Sequence, residues 1–156
     1  MFKILINKEI TSCLINELDK AKGREIGGLL MGEYVSENVF RISSLTVQKE
    51  GGDTNYFIRR IGNKVKKDLE SFFEEYNYNY EKFNYLGEWH SHPSFPLIPS
   101  EKDQSTMWEI VNDPEVGALF AVLLIVKLHN GTLRGSVNAF VPGFPIFQGR
   151  LIEEKY

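Results

Sequence analysis

Cysteine occurs once in the chain, at position 13. That excludes an internal disulfide framework and any zinc site built from several thiolates. Histidine occurs three times. If His90 and His92 serve one ion, only His129 remains, too little for a two-metal phosphoesterase centre. Basic blocks are missing as well: 18 Lys and Arg stand against 21 Asp and Glu, a formal charge of −3. The densest basic run, Lys64 to Lys67, sits in a helical pattern and reads as a solvated face. The electrostatic footprint of a nucleic-acid binder is therefore absent. No apolar run approaches the ~18 residues a membrane-spanning helix needs. The N-terminal MFKILINKEI has too short an apolar stretch for a signal peptide. A soluble, cytoplasmic protein with no nucleic-acid or membrane partner is the expectation.

What is present suits one globular domain over residues 1–156. Hydrophobic residues make up 42% and charged residues 25%, enough to bury a core without the bias of a disordered or fibrous chain.

Phe2 to Ile6 reads as a short strand. Residues 8 to 22 read as a helix, because Ile10, Leu14, Leu18 and Ala21 recur on one face before Gly23 ends the pattern. Cys13 lies beside that face as a small apolar residue. IGGLLMGEYV from Ile26 and the stretch Val39 to Val47 read as strands around a turn at Ser36 to Asn38. Residues 49–54 read as a loop. A helix is expected within Phe57 to Tyr76, at least from Ile61, with Val65, Leu69, Phe72 and Tyr76 on one side. Residues 77–84 read as a loop, Tyr85 to Trp89 as a strand, 93–99 as a proline-rich loop and Glu101 to Val111 as a helix. Asn112-Asp113-Pro114 closes that helix, since proline disfavours helical geometry in the residue before it. Leu119 to Leu128 and Thr132 to Val141 flank Asn130-Gly131, a strong hairpin signal. The expected fold class is α/β: one domain with a mixed, mostly antiparallel sheet and flanking helices.

The chemistry concentrates in Glu88-Trp89-His90-Ser91-His92-Pro93 and Ser100-Glu101-Lys102-Asp103. Residues two apart in a strand share a face, so both imidazoles can reach one ion while Ser91 points away. Ser100 is a good helix N-cap, and Ser-x-x-Asp resembles a capping box. Asp103, Met107, Ile110 and Val111 share a helical face, which turns the Asp103 carboxylate towards the sheet. Two histidines and a carboxylate leave the fourth position of a zinc ion open to water, the arrangement of a catalytic site. The Pro-Cys-x-x-Cys element of zinc deaminases is missing. Glu25, just before a glycine-containing strand, is a candidate general base, although spacing alone does not bring it to the histidines. Plainer readings stand beside these. The His-x-His pair can be incidental, Ser100 only a cap, Asp103 only an acid favoured by a helix N-terminus. Glu88 is structural or faces solvent.

His90-Ser91-His92-Pro93, seven residues before Ser100 and two more before Asp103 resemble the His-x-His-x7-Ser-x2-Asp signature of the JAMM (JAB/MPN) metalloprotease family. Glu25 followed by Gly28-x-x-x-Gly32 is similar to that family's catalytic glutamate and its strand. The likeness in element order runs from about residue 2 to 141. It implies an MPN/JAB-like domain in which His90, His92 and Asp103 ligate one Zn2+ ion. Glu25 would act on the zinc-bound water as general base, and Ser100 would stabilise the oxyanion. It implies removal of ubiquitin-like proteins from amines, with a ubiquitin-like or conjugated protein as substrate.

YLGEWHSHP at 85–93 and Thr106-Met107 are similar to bacterial stand-alone members encoded beside E1-like and E2-like enzymes, some in antiphage operons. Those enzymes are the partners this implies. The alternatives are a peptidase that trims the tail of a sulfur-carrier precursor and a non-catalytic, zinc-containing interaction module.

Overall fold

The computed structural model describes residues 1–52 and 63–156. Strand β1 (Lys3–Ile6) leads into helix α1 (Lys8–Ala21). The Asn7 side chain caps the helix by accepting the Ile10 N–H at 2.9 Å, which satisfies one amide the first turn would leave orphaned. Lys22, at φ 51°, ends it in the left-handed region. Ile10, Leu14 and Leu18 are the buried stripe, as the helical period requires. Cys13 is half-buried beside them.

Strands β2 (Gly27–Ser36) and β3 (Val39–Leu45) form a hairpin around Asn38, which accepts φ 59°. Helix α2 (Asn63–Glu75) follows; the part of the expected helix before residue 63 lies outside the described residues. Lys66 and Lys67 are exposed, as a solvated face should be. Strand β4 (Phe83–Ser91) starts two residues earlier than the sequence pattern suggested. Helix α3 (Glu101–Asn112) precedes strands β5 (Ala121–His129) and β6 (Thr132–Phe140). Asn130 at φ 51° and Gly131 at φ 77° make the two-residue turn between them, the geometry that matches strand twist.

Two short strands, β7 (Phe147–Gln148) and β8 (Arg150–Glu153), complete the chain. The sheet order is β7-β6-β5-β4-β2-β3-β1-β8. Its ends, β7 and β8, are separated by Gly149 alone. The Gly149 N–H donates to Val137 of β6 at 2.9 Å, and the Arg150 N–H donates to Phe2 at 3.0 Å. The C-terminal segment thus joins the two edges of the sheet. A Cβ on Gly149 would sit 2.4 Å from the Phe2 ring, so any larger residue would have to displace that ring. Arg41 then holds Glu154 through Nε at 2.8 Å and Nη2 at 2.9 Å.

The sheet is mixed. β1 runs parallel to β3 and β8, and β4 parallel to β5; β2 pairs antiparallel with β3 and β4, and β6 with β5 and β7. One face, with Ile4, Leu30, Trp89, Leu124 and Val126, buries the apolar stripe of α1. The opposite face carries α3 over Leu123, Ile125 and Phe140, and α2 over Leu29 and Met31. Strand β4 is interior, between β2 and β5. A β-bulge lies opposite Leu30 and Met31. Gly87 occupies it at φ 155°, where a Cβ would fall 1.8 Å from the Val122 carbonyl oxygen. The bulge fixes which side chains of β4 face which layer: Leu86 and Trp89 enter the α1 core, while Tyr85 packs towards α2 and α3. Among the described residues, no helix is long and apolar enough to cross a membrane.

Candidate metal centre

The C-terminal end of β4 brings His90 and His92 to one face. Their Nε2 atoms lie 3.0 Å apart. Asp103, from the first turn of α3, places Oδ1 3.3 Å from His90 Nε2 and Oδ2 3.3 Å from His92 Nε2. Among the described residues, this is the one group of three His, Cys, Asp or Glu side chains whose ligand atoms converge, all within 4.8 Å of one another. Three donors at ~2.0–2.1 Å from a tetrahedral ion are ~3.3 Å from each other. The two Nε2 atoms are 3.0 Å apart, and each lies 3.3 Å from a different oxygen of the Asp103 carboxylate, so the three side chains converge closely enough to share one ion after small adjustment of the carboxylate. Two nitrogens and one carboxylate oxygen also suit zinc chemically.

Each donor is held by the fold. The His92 N–H donates to Val126 at 3.0 Å, extending the pairing of β4 with β5. Its Nδ1 lies 2.9 Å from the Pro96 carbonyl oxygen. A carbonyl can only accept, so Nδ1 carries a proton, and Nε2 is the ring nitrogen left to face the centre. Metal-binding histidines use this support to fix ring orientation. Asp103 is held by a capping box: its Oδ2 accepts the Ser100 N–H at 2.8 Å, and Ser100 Oγ accepts the Asp103 N–H at 3.1 Å. Met107, Ile110 and Val111 anchor the same helix face in the core, as their spacing with Asp103 predicts.

Burial works against charge on both His92 and Asp103, yet their mutual attraction wins. The His92 imidazolium is disfavoured by burial but favoured by hydrogen bonds to Asp103 and the Pro96 carbonyl, and its pKa moves up. Burial raises the Asp103 carboxyl, but His90, His92 and the Ser100 amide draw it well below the carboxylate range.

Glu25 reaches this centre through strand register. Gly27 pairs with His90 across β2 and β4, so continuing the antiparallel register sets Glu25 across from His92. The side chain is buried, at 3% exposure, and its charge is among those that favour protonated His92. Glu88 is also buried, at 7% exposure, and does not face solvent. Its strand is interior and both sheet faces are covered, so no solvent face exists for it. His129 ends β5 on the surface beside Asn130, away from the site. The Pro96 carbonyl was not legible in the sequence, because any residue type offers that oxygen.

The family described as prokaryotic homologs of the JAB domain matches residues 7–138, from α1 through most of β6. The solution structure of protein DSY2949 from Desulfitobacterium hafniense is similar, with a TM-score of 0.63 and 15% identity over 98% of this chain and 94% of that one. At that identity the likeness concerns the fold alone. No curated protein matches the chain.

Proposed function

The chain belongs to the family of prokaryotic homologs of the JAB domain, and on that premise we propose that it is a zinc-dependent isopeptidase of the JAMM type. Its substrate is a ubiquitin-like protein joined through its C-terminus to an amine. The observation that carries this reading is the convergence of His90, His92 and Asp103 beside a buried glutamate, Glu25.

His90, His92 and Asp103 would hold the ion. Zinc in such a site acts as a Lewis acid and lowers the pKa of a bound water from ~15.7 to ~7. Glu25 accepts a proton from the attacking water and delivers it to the departing amine. Its burial keeps bulk water from competing for that proton. The Ser100 hydroxyl accepts the Asp103 N–H, which leaves its own proton free to be donated to the carbonyl oxygen as negative charge develops. In this reading the protein works in the cytoplasm beside E1-like and E2-like conjugating enzymes, as in the operons that tag proteins during antiphage defence.

The test uses purified chain carrying one zinc equivalent. One substrate has a ubiquitin-like protein on a lysine side chain; another carries a short extension after the same C-terminus. Cleavage of the lysine-linked substrate, abolished by a chelator and restored by zinc, supports the proposal. Cleavage of the extended substrate alone assigns tail processing of a carrier precursor. Stable zinc with turnover of neither assigns a non-catalytic interaction module.

A further inference from the structure

Ser91 lies between the two histidine ligands in sequence but faces the opposite side of the sheet, fully buried. Its hydroxyl and its amide both engage one residue. Ser91 Oγ accepts the Ile26 N–H at 3.0 Å, and the Ser91 N–H donates to the Ile26 carbonyl at 2.9 Å. The hydroxyl is also 3.4 Å from that carbonyl oxygen. Ile26 follows Glu25 and is itself buried.

Glu25 sits where strand pairing gives way to a turn, between the Arg24 N–H held by Ala21 and Gly27 bridged to Gln48. The regular register of β2 with β4 ends at Gly27 and His90. On the far side, Lys22, Gly23 and Arg24 are exposed, and Gly23 turns at φ 84°. A buried amide without a partner costs free energy, so the Ile26 N–H stays where a hydroxyl meets it. Ser91 is also the residue that joins His90 to His92. One side chain therefore ties the segment carrying Glu25 to the strand carrying both ligands.

We infer that Ser91 is a positioning residue that fixes Glu25 relative to the metal ligands by clamping the Ile26 peptide groups. The inference rests on the isopeptidase reading for its effect on turnover, and on geometry alone for the clamp. Ser91 faces away from the ligands, so its side chain neither holds the ion nor touches substrate. Its loss should loosen the base and leave the metal in place.

The experiment compares Ser91→Thr with Ser91→Val, which have the same shape and differ in the hydroxyl. Ser91 is fully buried, so the added methyl groups require local repacking. Ser91→Ala serves if the valine variant does not fold. Zinc stoichiometry should stay at that of the unmodified chain in each. Ser91→Thr should retain turnover. Ser91→Val should lose roughly 10²-fold in kcat, the scale of a small misplacement of a catalytic group, with KM unchanged. Hydrogen exchange at the Ile26 amide should accelerate in Ser91→Val but not in Ser91→Thr, while the Leu30 amide exchanges as before. In a Glu25→Gln background, Ser91→Val should cost nothing further in kcat, because residues acting through one another are not additive.

Equal losses in the two backgrounds, or loss of zinc from Ser91→Val, would overturn the inference. So would unchanged exchange at Ile26, a readout that holds even if the unmodified protein cleaves no isopeptide. Failure of the clamp is thereby separated from failure of the isopeptidase reading.

Discussion

Ser100 and Asp103 hold each other twice: the Asp103 amide donates to the Ser100 hydroxyl at 3.1 Å, and the Asp103 carboxylate accepts the Ser100 amide at 2.8 Å. The capping box thus aims a candidate metal ligand, and the residue that caps α3 also stands at the candidate site. Ser100→Ala separates these roles. Loss of the cap should cost about 1 kcal/mol of stability. Loss of an oxyanion donor should lower kcat by roughly 10²–10³. We expect both, with zinc retained, as read by thermal melting, metal analysis and turnover. A lower Tm with unchanged kcat would leave Ser100 as a cap alone.

In the proposed site, zinc and protons would compete for His92. In metal-free protein the raised His92 pKa contributes stability that is present below the unfolded value of ~6.5 and lost as pH rises through the folded value. The lowered Asp103 pKa contributes stability present above ~3.9 and lost as pH falls through its folded value. Together they should favour the metal-free fold most between those limits. Zinc needs the neutral imidazole, so its affinity should fall as pH drops below the raised pKa of His92. Asp103→Asn should reduce the pH dependence of metal-free stability. Melting curves and zinc titrations across pH 4 to 8 would check this; identical zinc affinity at both ends would refute it.

The Arg41–Glu154 pair fastens the segment that joins the sheet's edges. Glu154 has its pKa lowered by the hydrogen bond from Arg41, against a smaller opposing effect of burial. Its contribution is therefore present above the ordinary carboxylate pKa and lost as pH falls through the folded value. Glu154→Gln should cost about 1 kcal/mol at neutral pH, the upper range for a partly exposed pair. The difference from the unmodified chain should vanish in acid, and zinc binding should not change. Denaturant melts at pH 7 and pH 3 would show whether the gap closes.

Much of this fold is legible from periodicity. The buried stripe of α1, the Asn130-Gly131 hairpin and the Ser100 cap each depend on neighbours in sequence, so local chemistry predicts them. β7 and β8 were not foreseen, because strands of two and four residues carry no measurable alternation. Their pairing depends on β6 and β1, far away in the chain. The His90, His92 and Asp103 group is legible because a strand face and a helix N-terminus have fixed directions. Glu25 is different: its place opposite His92 follows from the register of β2 on β4, which depends on the bulge at Gly87. Residue spacing does not report that register. The interior position of β4, which gives Glu88 its burial, likewise emerges only once the strand order is known.

The central claim is that Glu25 moves a proton and does not bind the metal. Glu25→Gln keeps the shape of the side chain but cannot accept a proton at neutral pH. The measurement is zinc stoichiometry beside kcat for this variant and for His92→Ala. The account predicts that Glu25→Gln keeps its zinc and loses ~10²–10⁴ in rate, the usual worth of a positioned base, while His92→Ala loses metal and activity together. Near wild-type turnover in zinc-loaded Glu25→Gln, or loss of its zinc, would contradict it.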